Sequence, residues 1–231
     1  MKKLTLFLCC YFLHYSSVNA QTYFIKKVPA GSIKITGQGK DKAWKKANRI
    51  TDFSYPWQPE EAPSTSFSAL WDGAWMYCLF TVEDDSVNVY FNSNDKLETG
   101  ASDRVEIFFN INDSMQPYYC LEIDANARVL DYSAGYYRKM QYDWQWPANQ
   151  LIIQSSRTST GYIVEMAISI ESLENLGLLK SNRLRAGLFR VECKGFTDGK
   201  ADLHWISWVR PGSTDPDFHI PSAFGTLMLE L

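Results

Sequence analysis

Cysteine is scarce in this chain, and the cysteines that occur are widely spaced. The 231 residues include five cysteines, two of which lie in an N-terminal apolar run. The other three are Cys78, Cys120 and Cys193. A small domain held together by disulfides carries a dense and even set of cysteines. The sparse, odd set excludes that class of protein and allows at most one bridge within the chain.

The chain also lacks an excess of basic residues and, beyond residue 20, a long apolar run. Lysine and arginine number 23 against 26 aspartates and glutamates, which gives a formal net charge of −3. No basic cluster is present to bind a phosphate backbone, so we expect no nucleic-acid partner. A membrane-spanning helix needs about 20 predominantly apolar residues. We therefore expect no membrane span.

The N terminus has the pattern of a secretory signal peptide. Two lysines precede an apolar run at residues 4–13, and "VNA" at residues 18–20 offers a cleavage site. A lipoprotein would need a cysteine after the apolar run, whereas both nearby cysteines lie inside it. We expect residues 1–20 to be removed and residues 21–231 to form a single exported domain, periplasmic or extracellular.

Short segments of alternating polarity, typical of β-strands, dominate the rest of the chain. The clearest is a hairpin in which residues 67–71 and 75–82 flank Asp72-Gly73, a pair that tolerates a tight turn. Further strands are predicted at 104–111, 118–123, 128–132, 151–155, 162–168, 185–193 and 226–231. Short helical turns are predicted at 171–176 and 42–47. The pattern predicts an all-β protein, an antiparallel β-sandwich with one or two short helical turns.

Alternation within the strands separates a core face from an outer face. Val105, Ile107 and Phe109 alternate with Arg104 and Glu106, and the odd positions are assigned to the core. The same reasoning places further charged side chains on outer faces, namely Glu122, Asp124, Glu165, Arg190 and Glu192. One interpretation is a solvated sheet surface. The other is a binding surface, where carboxylates and guanidinium groups form hydrogen bonds with ligand hydroxyls.

Aromatic residues are abundant, with eight tryptophans and 13 tyrosines. Several lie between the predicted strands, notably Trp57, Trp144 and Trp146. Exposed flat rings suit sugars, whose C–H faces pack on aromatic rings while their hydroxyls need polar partners. Core packing is the alternative for each ring. For Trp144 and Trp146 in "YDWQWP" both interpretations stay open.

Seven segments in order along the chain resemble the family 9 carbohydrate-binding modules. They read "GQGKDKAWKKA", "LWDGAWMYCLFTVEDD", "SDRVEIFFNIN", "YYCLEIDANARVLDY", "GYIVEMAISIESL", "RAGLFRVE" and "WISWVRPGSTDPDFHIPSAFGTLML". The resemblance covers nearly all of the chain after residue 20. It implies an immunoglobulin-like or jelly-roll-like β-sandwich that binds a carbohydrate, holds structural calcium and has no catalytic activity of its own.

The resemblance also implies where the sugar binds. Phe218 matches a ring that forms one wall of the family's sugar slot, His219 lies beside it, and Glu106 matches an acidic residue that contacts sugar hydroxyls. The second wall is a tryptophan in sugar-binding members, whereas the segment 98–101 reads "ETGA". Glu122 and Asp124 stand where a basic residue and an amide are expected. The chain therefore binds a different sugar, completes the site with Trp144 and Trp146, or has lost the site.

The predicted ligand-binding set combines the outer charged face with these aromatic residues: Arg104, Glu106, Glu122, Asp124, Trp144, Trp146, Arg190, Phe218 and His219. Calcium needs several oxygen ligands. "EDD" at residues 83–85, with Asp103 nearby, offers them, so the predicted metal ligands are Asp84, Asp85 and Asp103. The alternative is that these acidic turns only face water.

Two other functions compete with carbohydrate binding. A glycosidase needs two carboxyl groups, one on each side of the bond that it cleaves, and Glu106, Glu122 and Glu165 offer carboxyl groups. The size of the chain and the resemblance argue against catalysis. They favour a non-catalytic protein associated with glycan-degrading enzymes, or a domain with a degenerate site. A haem-binding electron-transfer sandwich would use methionine or histidine ligands such as Met76, Met166 or His219. Both methionines sit at core positions.

Overall fold

The computed structural model describes residues 21–231, and the predicted signal peptide at 1–20 lies outside the described residues. The all-β prediction is confirmed. The strands are β1 Thr22–Lys27, β2 Thr65–Trp71, β3 Trp75–Glu83, β4 Arg104–Asn110, β5 Tyr118–Asp124, β6 Val129–Gly135, β7 Lys139–Gln141, β8 Leu151–Thr158, β9 Gly161–Ser169, β10 Arg183–Thr197, β11 Lys200–Ser207 and β12 Gly225–Leu229. The helical segments are α1, Ile170–Asn175, and three 3₁₀ helices, Lys42–Lys46, Lys96–Ala101 and Pro221–Ala223.

The predicted hairpin is β2 and β3, with Trp71 paired to Met76 across the turn. Gly73 in that turn has a φ of 98°, a conformation that glycine adopts without steric cost. The other predicted strands and both helical turns are also present within a few residues of the expected bounds. Three strands were not predicted, β1, β7 and β11. Each is short or interrupted by charged residues, which weakens the period-two signal.

The strands form one continuous, curled sheet rather than two separate layers. Its order is β7-β6-β5-β4-β10-β12-β1-β2-β3-β9-β8, with β11 beside β10. Most neighbours are antiparallel, as predicted, but β1 runs parallel to both β12 and β2. A parallel pair needs a long crossover, and residues 28–64 provide one between β1 and β2. We call β7-β6-β5-β4-β10-β12 with β11 the first half of the sheet, and β2-β3-β9-β8 the second half.

The main hydrophobic core lies between the two halves. Val105, Ile107 and Phe109 of β4 belong to the same buried cluster as Phe80 of β3 and Met166 of β9. The odd positions of β4 therefore face the core, as the alternation predicted. Met76 also lies in this cluster. Both methionines of the haem alternative thus serve as core side chains.

The outer face of the first half is covered rather than solvated. A second buried cluster packs on it, in which Phe108 and Phe189 of the sheet meet Phe218, Ala223 and Phe224 of the C-terminal loop. Charged side chains on this face are buried with it. The interpretation as a wet sheet surface is therefore wrong here, because the loop between β11 and β12 folds back over the strands.

Residues 33–44 cover the outer face of the second half in a similar way. Glu165 of β9 is fully buried beneath them. Its carboxylate accepts hydrogen bonds from the indole of Trp44 at 2.9 Å and from the backbone N–H groups of Thr36 at 2.8 Å and Gly37 at 2.6 Å. These bonds satisfy the carboxylate within the fold, so Glu165 anchors the covering segment.

The three cysteines in the described part of the chain, Cys78, Cys120 and Cys193, are buried free thiols. None of the helices within residues 21–231 has the length and apolar character needed to cross a membrane.

Candidate functional site

Strands β4 and β5 bring two carboxylates and a guanidinium group together on the covered face. Glu106 pairs directly with Glu122 in the antiparallel register, so the two side chains project to the same side. The Nε of Arg104 lies 2.8 Å from Glu106 Oε1 and 2.7 Å from Glu122 Oε2. The hydroxyl of Tyr132 donates to Glu122 Oε1 at 2.8 Å. We refer to Arg104, Glu106 and Glu122 as the charged triad.

The triad is buried, and burial sets its protonation. Loss of solvent raises the pKa of the Glu106 carboxyl; the nearby Glu122 raises it further, whereas Arg104 lowers it. One guanidinium group cannot fully neutralise two carboxylates. Burial therefore favours the protonated form of Glu106, whose carboxyl group forms a hydrogen bond with Glu122.

Gly100 links the triad to the segment where the family's second ring was expected. Its carbonyl accepts a hydrogen bond of 2.8 Å from Nη1 of Arg104. The segment Lys96–Ala101 is a 3₁₀ helix. In this chain it contributes a backbone acceptor that fixes the guanidinium group, in place of an aromatic wall.

The C-terminal loop places an aromatic residue and a histidine over the triad. Phe218 stacks on Phe189, with ring centroids 4.0 Å apart, and also contacts the ring of Trp57 at 5.6 Å. Nδ1 of His219 lies 3.0 Å from the hydroxyl of Tyr118. Burial, assisted by the charge of Arg138, lowers the pKa of His219 to about 4. The imidazole is consequently neutral at neutral pH.

These residues enclose a cavity of about 250 Å³. Five of its lining residues were predicted: Arg104, Glu106, Glu122, Phe218 and His219. Five were missed: Phe108, Arg138, Trp205, Pro216 and Asp217. The alternation in β4 puts Phe108 on the same face as Glu106 and identifies it in retrospect. Arg138 and Trp205 lie on β7 and β11 or beside them, strands that the sequence did not reveal.

Asp124 lies on the same face as the triad but outside the cavity. Its Oδ2 accepts a hydrogen bond of 2.7 Å from Nε of Arg128, and its Oδ1 accepts from the backbone N–H of Asn126 at 2.9 Å. These contacts close the turn between β5 and β6. The structure gives Asp124 a role in shaping this turn and no place at the cavity.

Arg190 points to the other side of the sheet from the triad, contrary to the prediction. In the register of β10 and β4 it pairs with the core residue Val105, whereas Phe189 pairs with Glu106. The guanidinium group is fully buried, and its Nη2 lies 2.8 Å from Oδ2 of Asp84. The prediction failed because both faces of β10 are buried, so polarity does not identify the outer face.

Trp144 and Trp146 also lie on the core side. Trp146 exposes 6% of its surface and packs 6.1 Å from Phe109, whose side chain faces away from Glu106. Trp144 packs on Tyr119 at 5.0 Å. The carboxylate of Asp131 holds this segment by accepting the backbone N–H of Trp146 at 2.6 Å. The expectation that these rings complete the sugar slot is therefore wrong.

Two of the three predicted calcium ligands, Asp84 and Asp103, lie in side-chain contact, and both carboxylates also have partners within the protein. Asp84 is paired with Arg190. Asp103 accepts backbone hydrogen bonds from Asn88 at 2.6 Å and Cys193 at 2.9 Å. Within residues 21–231 no group of three or more histidine, cysteine, aspartate or glutamate side chains is arranged to hold a metal ion. Calcium takes six to eight oxygens, which is more than the two neighbouring carboxylates supply by themselves.

A larger cleft of about 960 Å³ lies elsewhere and contains none of the predicted ligand-binding residues. It holds Asp84 and Asp85 among several other acidic residues. Its buried carboxylate, Glu192, is already bonded to the hydroxyl of Tyr55 and to Lys194. The smaller cavity is the stronger candidate, because five of the predicted ligand-binding residues line it and none lines the larger cleft.

Comparison with known proteins gives a consistent result. The model of the carbohydrate family 9 binding domain-like family matches residues 35–231. No match was found among curated proteins. The fold is similar to that of a putative carbohydrate-binding protein from Bacteroides uniformis, with a TM-score of 0.71 and 20% identity over 91% of this chain and 100% of the other.

Two further similar structures are of a family 9 carbohydrate-binding module from Caldicellulosiruptor kristjanssonii. The complex with glucose has a TM-score of 0.55 and 19% identity over 91% of this chain and 96% of the other. The complex with cellotriose has a TM-score of 0.55 and 18% identity over 91% and 94% of the two chains. At these identities the likeness shows a shared fold.

Proposed function

This chain belongs to the carbohydrate family 9 binding domain-like family, and we propose that it binds a carbohydrate in the cavity above the charged triad. The observation that carries the proposal is the buried triad of Arg104, Glu106 and Glu122, enclosed by Phe108, Phe218 and Trp205. It supports a ligand that has polar edges and apolar faces, as a sugar ring has.

The chemistry of the cavity suits hydroxyl groups. Carboxylates and guanidinium groups make strong, directional hydrogen bonds with hydroxyls when water is excluded. A protonated Glu106 shares its proton with the neighbouring Glu122, and the remaining lone pairs of the two carboxyl groups can accept hydrogen bonds from sugar hydroxyls. Aromatic rings complement the C–H faces of the sugar. The structure of a family member with glucose is consistent with a ligand of this class.

We propose that the protein binds its ligand without transforming it. In a glycosidase the two carboxyl groups lie on either side of the scissile bond, roughly 5–10 Å apart. Here Glu106 and Glu122 are direct neighbours that share the Nε of Arg104. This arrangement supports binding rather than acid–base catalysis. Association with glycan-degrading enzymes during glycan utilisation is part of the same proposal.

The proposal also covers the type of β-sandwich and the cellular location of the protein. We propose that the two halves of the curled sheet correspond to the two layers of an immunoglobulin-like or jelly-roll-like β-sandwich, and that residues 21–231 act as one domain. We also propose that residues 1–20 direct export to the periplasm or the extracellular space.

Calorimetric titration tests the binding proposal. Glucose and cellotriose are the first ligands, because relatives bind them; a panel of plant and microbial mono- and oligosaccharides follows, each with and without calcium. We expect at least one sugar to bind with a Kd below millimolar. If none does, the domain does not act as a sugar-binding module. A calcium-dependent Kd would show that calcium binds and contributes to the site.

A further inference from the structure

The turn between β6 and β7 carries exposed aromatic rings next to the cavity. Gly135 pairs with Lys139, which leaves residues 136–138 at the tip. Tyr137 exposes 51% of its surface, and Tyr142, just after β7, exposes 42%. Large exposed rings normally mark a contact surface when they cluster at one place. We call Tyr137 and Tyr142 the rim tyrosines.

Tyr137 is held to the rim of the cavity through Asp217. Its hydroxyl donates to Oδ2 of Asp217 at 2.5 Å. Nη2 of Arg138 donates to Oδ1 of the same carboxylate at 3.1 Å. Asp217 and Arg138 both line the cavity. The ring of Tyr137 is therefore tethered at its hydroxyl end. The guanidinium group of Arg138 lies over the ring, 5.6 Å from its centroid, and the ring of Tyr136 packs against it in a T-shaped contact at 5.4 Å. About half of the residue's surface remains exposed to a ligand.

Tyr142 is linked to Glu122, a second carboxylate that lines the cavity, through the ring of Tyr132. Its ring packs on Tyr132 at 5.1 Å, and Tyr132 donates its hydroxyl to Glu122. Burial raises the pKa of the Tyr142 hydroxyl, and the charge of Glu122 raises it further. Tyr142 thus lies within electrostatic range of the charged triad although its ring is exposed.

The cavity itself has little room and little open ring surface. Its volume of about 250 Å³ is near the lower end, roughly 300 Å³, of small-molecule sites. Phe218 lines it but exposes only 5% of its surface, since Phe189 covers one ring face. A ligand longer than one sugar ring must therefore extend out of the cavity, and the partly exposed rings of Tyr137 and Tyr142 lie at the rim.

We propose that Tyr137 and Tyr142 form a second subsite, on which the sugar residue next to the one in the cavity packs. The protein would then bind a linear oligosaccharide more tightly than the corresponding monosaccharide. This inference rests on the proposed function, because it assigns the neighbouring residue of the same glycan.

The test compares two ligands in matched variants. The monosaccharide that binds wild type most tightly and its linear trisaccharide are titrated, with glucose and cellotriose as the first pair. Tyr142→Ala and Tyr137→Ala remove the rim rings, while Tyr137→Phe keeps the ring and loses the hydroxyl. Phe196→Ala is the control, because Phe196 is 40% exposed and packs on Tyr90 at 5.6 Å, much as Tyr142 packs on Tyr132.

We expect Tyr142→Ala to raise the Kd for the trisaccharide about tenfold and to leave the Kd for the monosaccharide unchanged, since truncation of an aromatic anchor commonly has an effect of this size. Tyr137→Ala should act in the same direction, and Tyr137→Phe and Phe196→Ala should retain the trisaccharide preference. Equal affinities of wild type for both ligands, or equal losses for both in Tyr142→Ala, would overturn the subsite while leaving the cavity proposal intact. A wild type that binds no sugar would overturn both proposals.

Discussion

Phe189 and Phe218 stack face to face, with their ring planes only 11° from parallel. Phe189 belongs to the sheet and pairs with Glu106, whereas Phe218 belongs to the loop that covers the sheet. The stacked pair therefore fixes the height of the loop above the charged triad. It also uses a face of Phe218 that would otherwise be open to a ligand, so Phe218 borders the cavity mainly as a packed wall.

The protonation of Glu106 can be probed by two substitutions of similar volume. Because burial favours the protonated carboxyl, glutamine preserves its shape and its hydrogen bonds, whereas leucine removes them. We expect Glu106→Gln to keep the Kd for the best sugar within about threefold and Glu106→Leu to raise it about tenfold or more. Calorimetry at pH 7 measures both. A larger loss in Glu106→Gln than in Glu106→Leu would show that Glu106 acts as a charged carboxylate.

Substitution of two aspartates compares how much a buried and an exposed ion pair contribute to the free energy of unfolding. Asp84 lies 2.8 Å from Arg190 and is buried, whereas Asp113 lies 2.9 Å from Arg185 with 78% of its side chain exposed. We expect Asp84→Asn to lower the free energy of unfolding by about 3 kcal/mol, because it removes the anionic partner of a buried guanidinium group, which keeps only its hydrogen bonds to Pro63 and Thr65. Asp113→Asn should cost less than about 1 kcal/mol. Urea denaturation compares them, and similar losses would contradict the assigned burial.

Substitution of Trp146 should affect the stability of the fold and not the affinity for sugar. Its ring fills the core beside Phe109, and its indole N–H donates to the hydroxyl of Ser172 at 3.2 Å. We expect Trp146→Ala to reduce the free energy of unfolding by about 3–5 kcal/mol while the folded fraction keeps wild-type sugar affinity. Phe91→Ala is the control, because Phe91 is exposed and should change stability by less than about 0.5 kcal/mol. A weaker sugar affinity with an unchanged melting temperature would return Trp146 to the site.

His219 should make stability sensitive to acid. Its folded-state pKa is lowered from 6.5 to about 4, so below pH 6.5 the unfolded chain takes up a proton that the folded ring resists. The stabilisation is present above pH 6.5 and is lost as the pH falls through about 4. Because the ring retains some access to solvent, we expect a loss of roughly 2 kcal/mol relative to His219→Gln. Denaturant titrations from pH 7 to 4 measure it. If the free energy of unfolding falls equally with pH in wild type and His219→Gln, His219 is not the cause of the acid sensitivity.

The sequence alone predicted which side chains face the core in strands that have one apolar face and one polar face. In β4 the alternation located both the core residues and Glu106 correctly, and Asp72-Gly73 located the hairpin. It failed in β10, where Arg190 and Phe189 are both buried on opposite faces. Long-range packing decides such cases. Neither the covering loop nor the rim tyrosines leave a local signal, because their positions depend on contacts with distant strands.

Strand β1 pairs with β12 through one part of its length and with β2 through the next. The two halves of the sheet are therefore joined only when β1 has paired with both β2 and β12. A nascent chain cannot complete this junction until β12 has been synthesised, and contacts between such distant segments slow folding. Until then β1 and β10 present unpaired edges, which are prone to associate with other chains. Removal of β12 would thus leave the junction between the two halves of the sheet open, with β1 and β10 both lacking a partner strand.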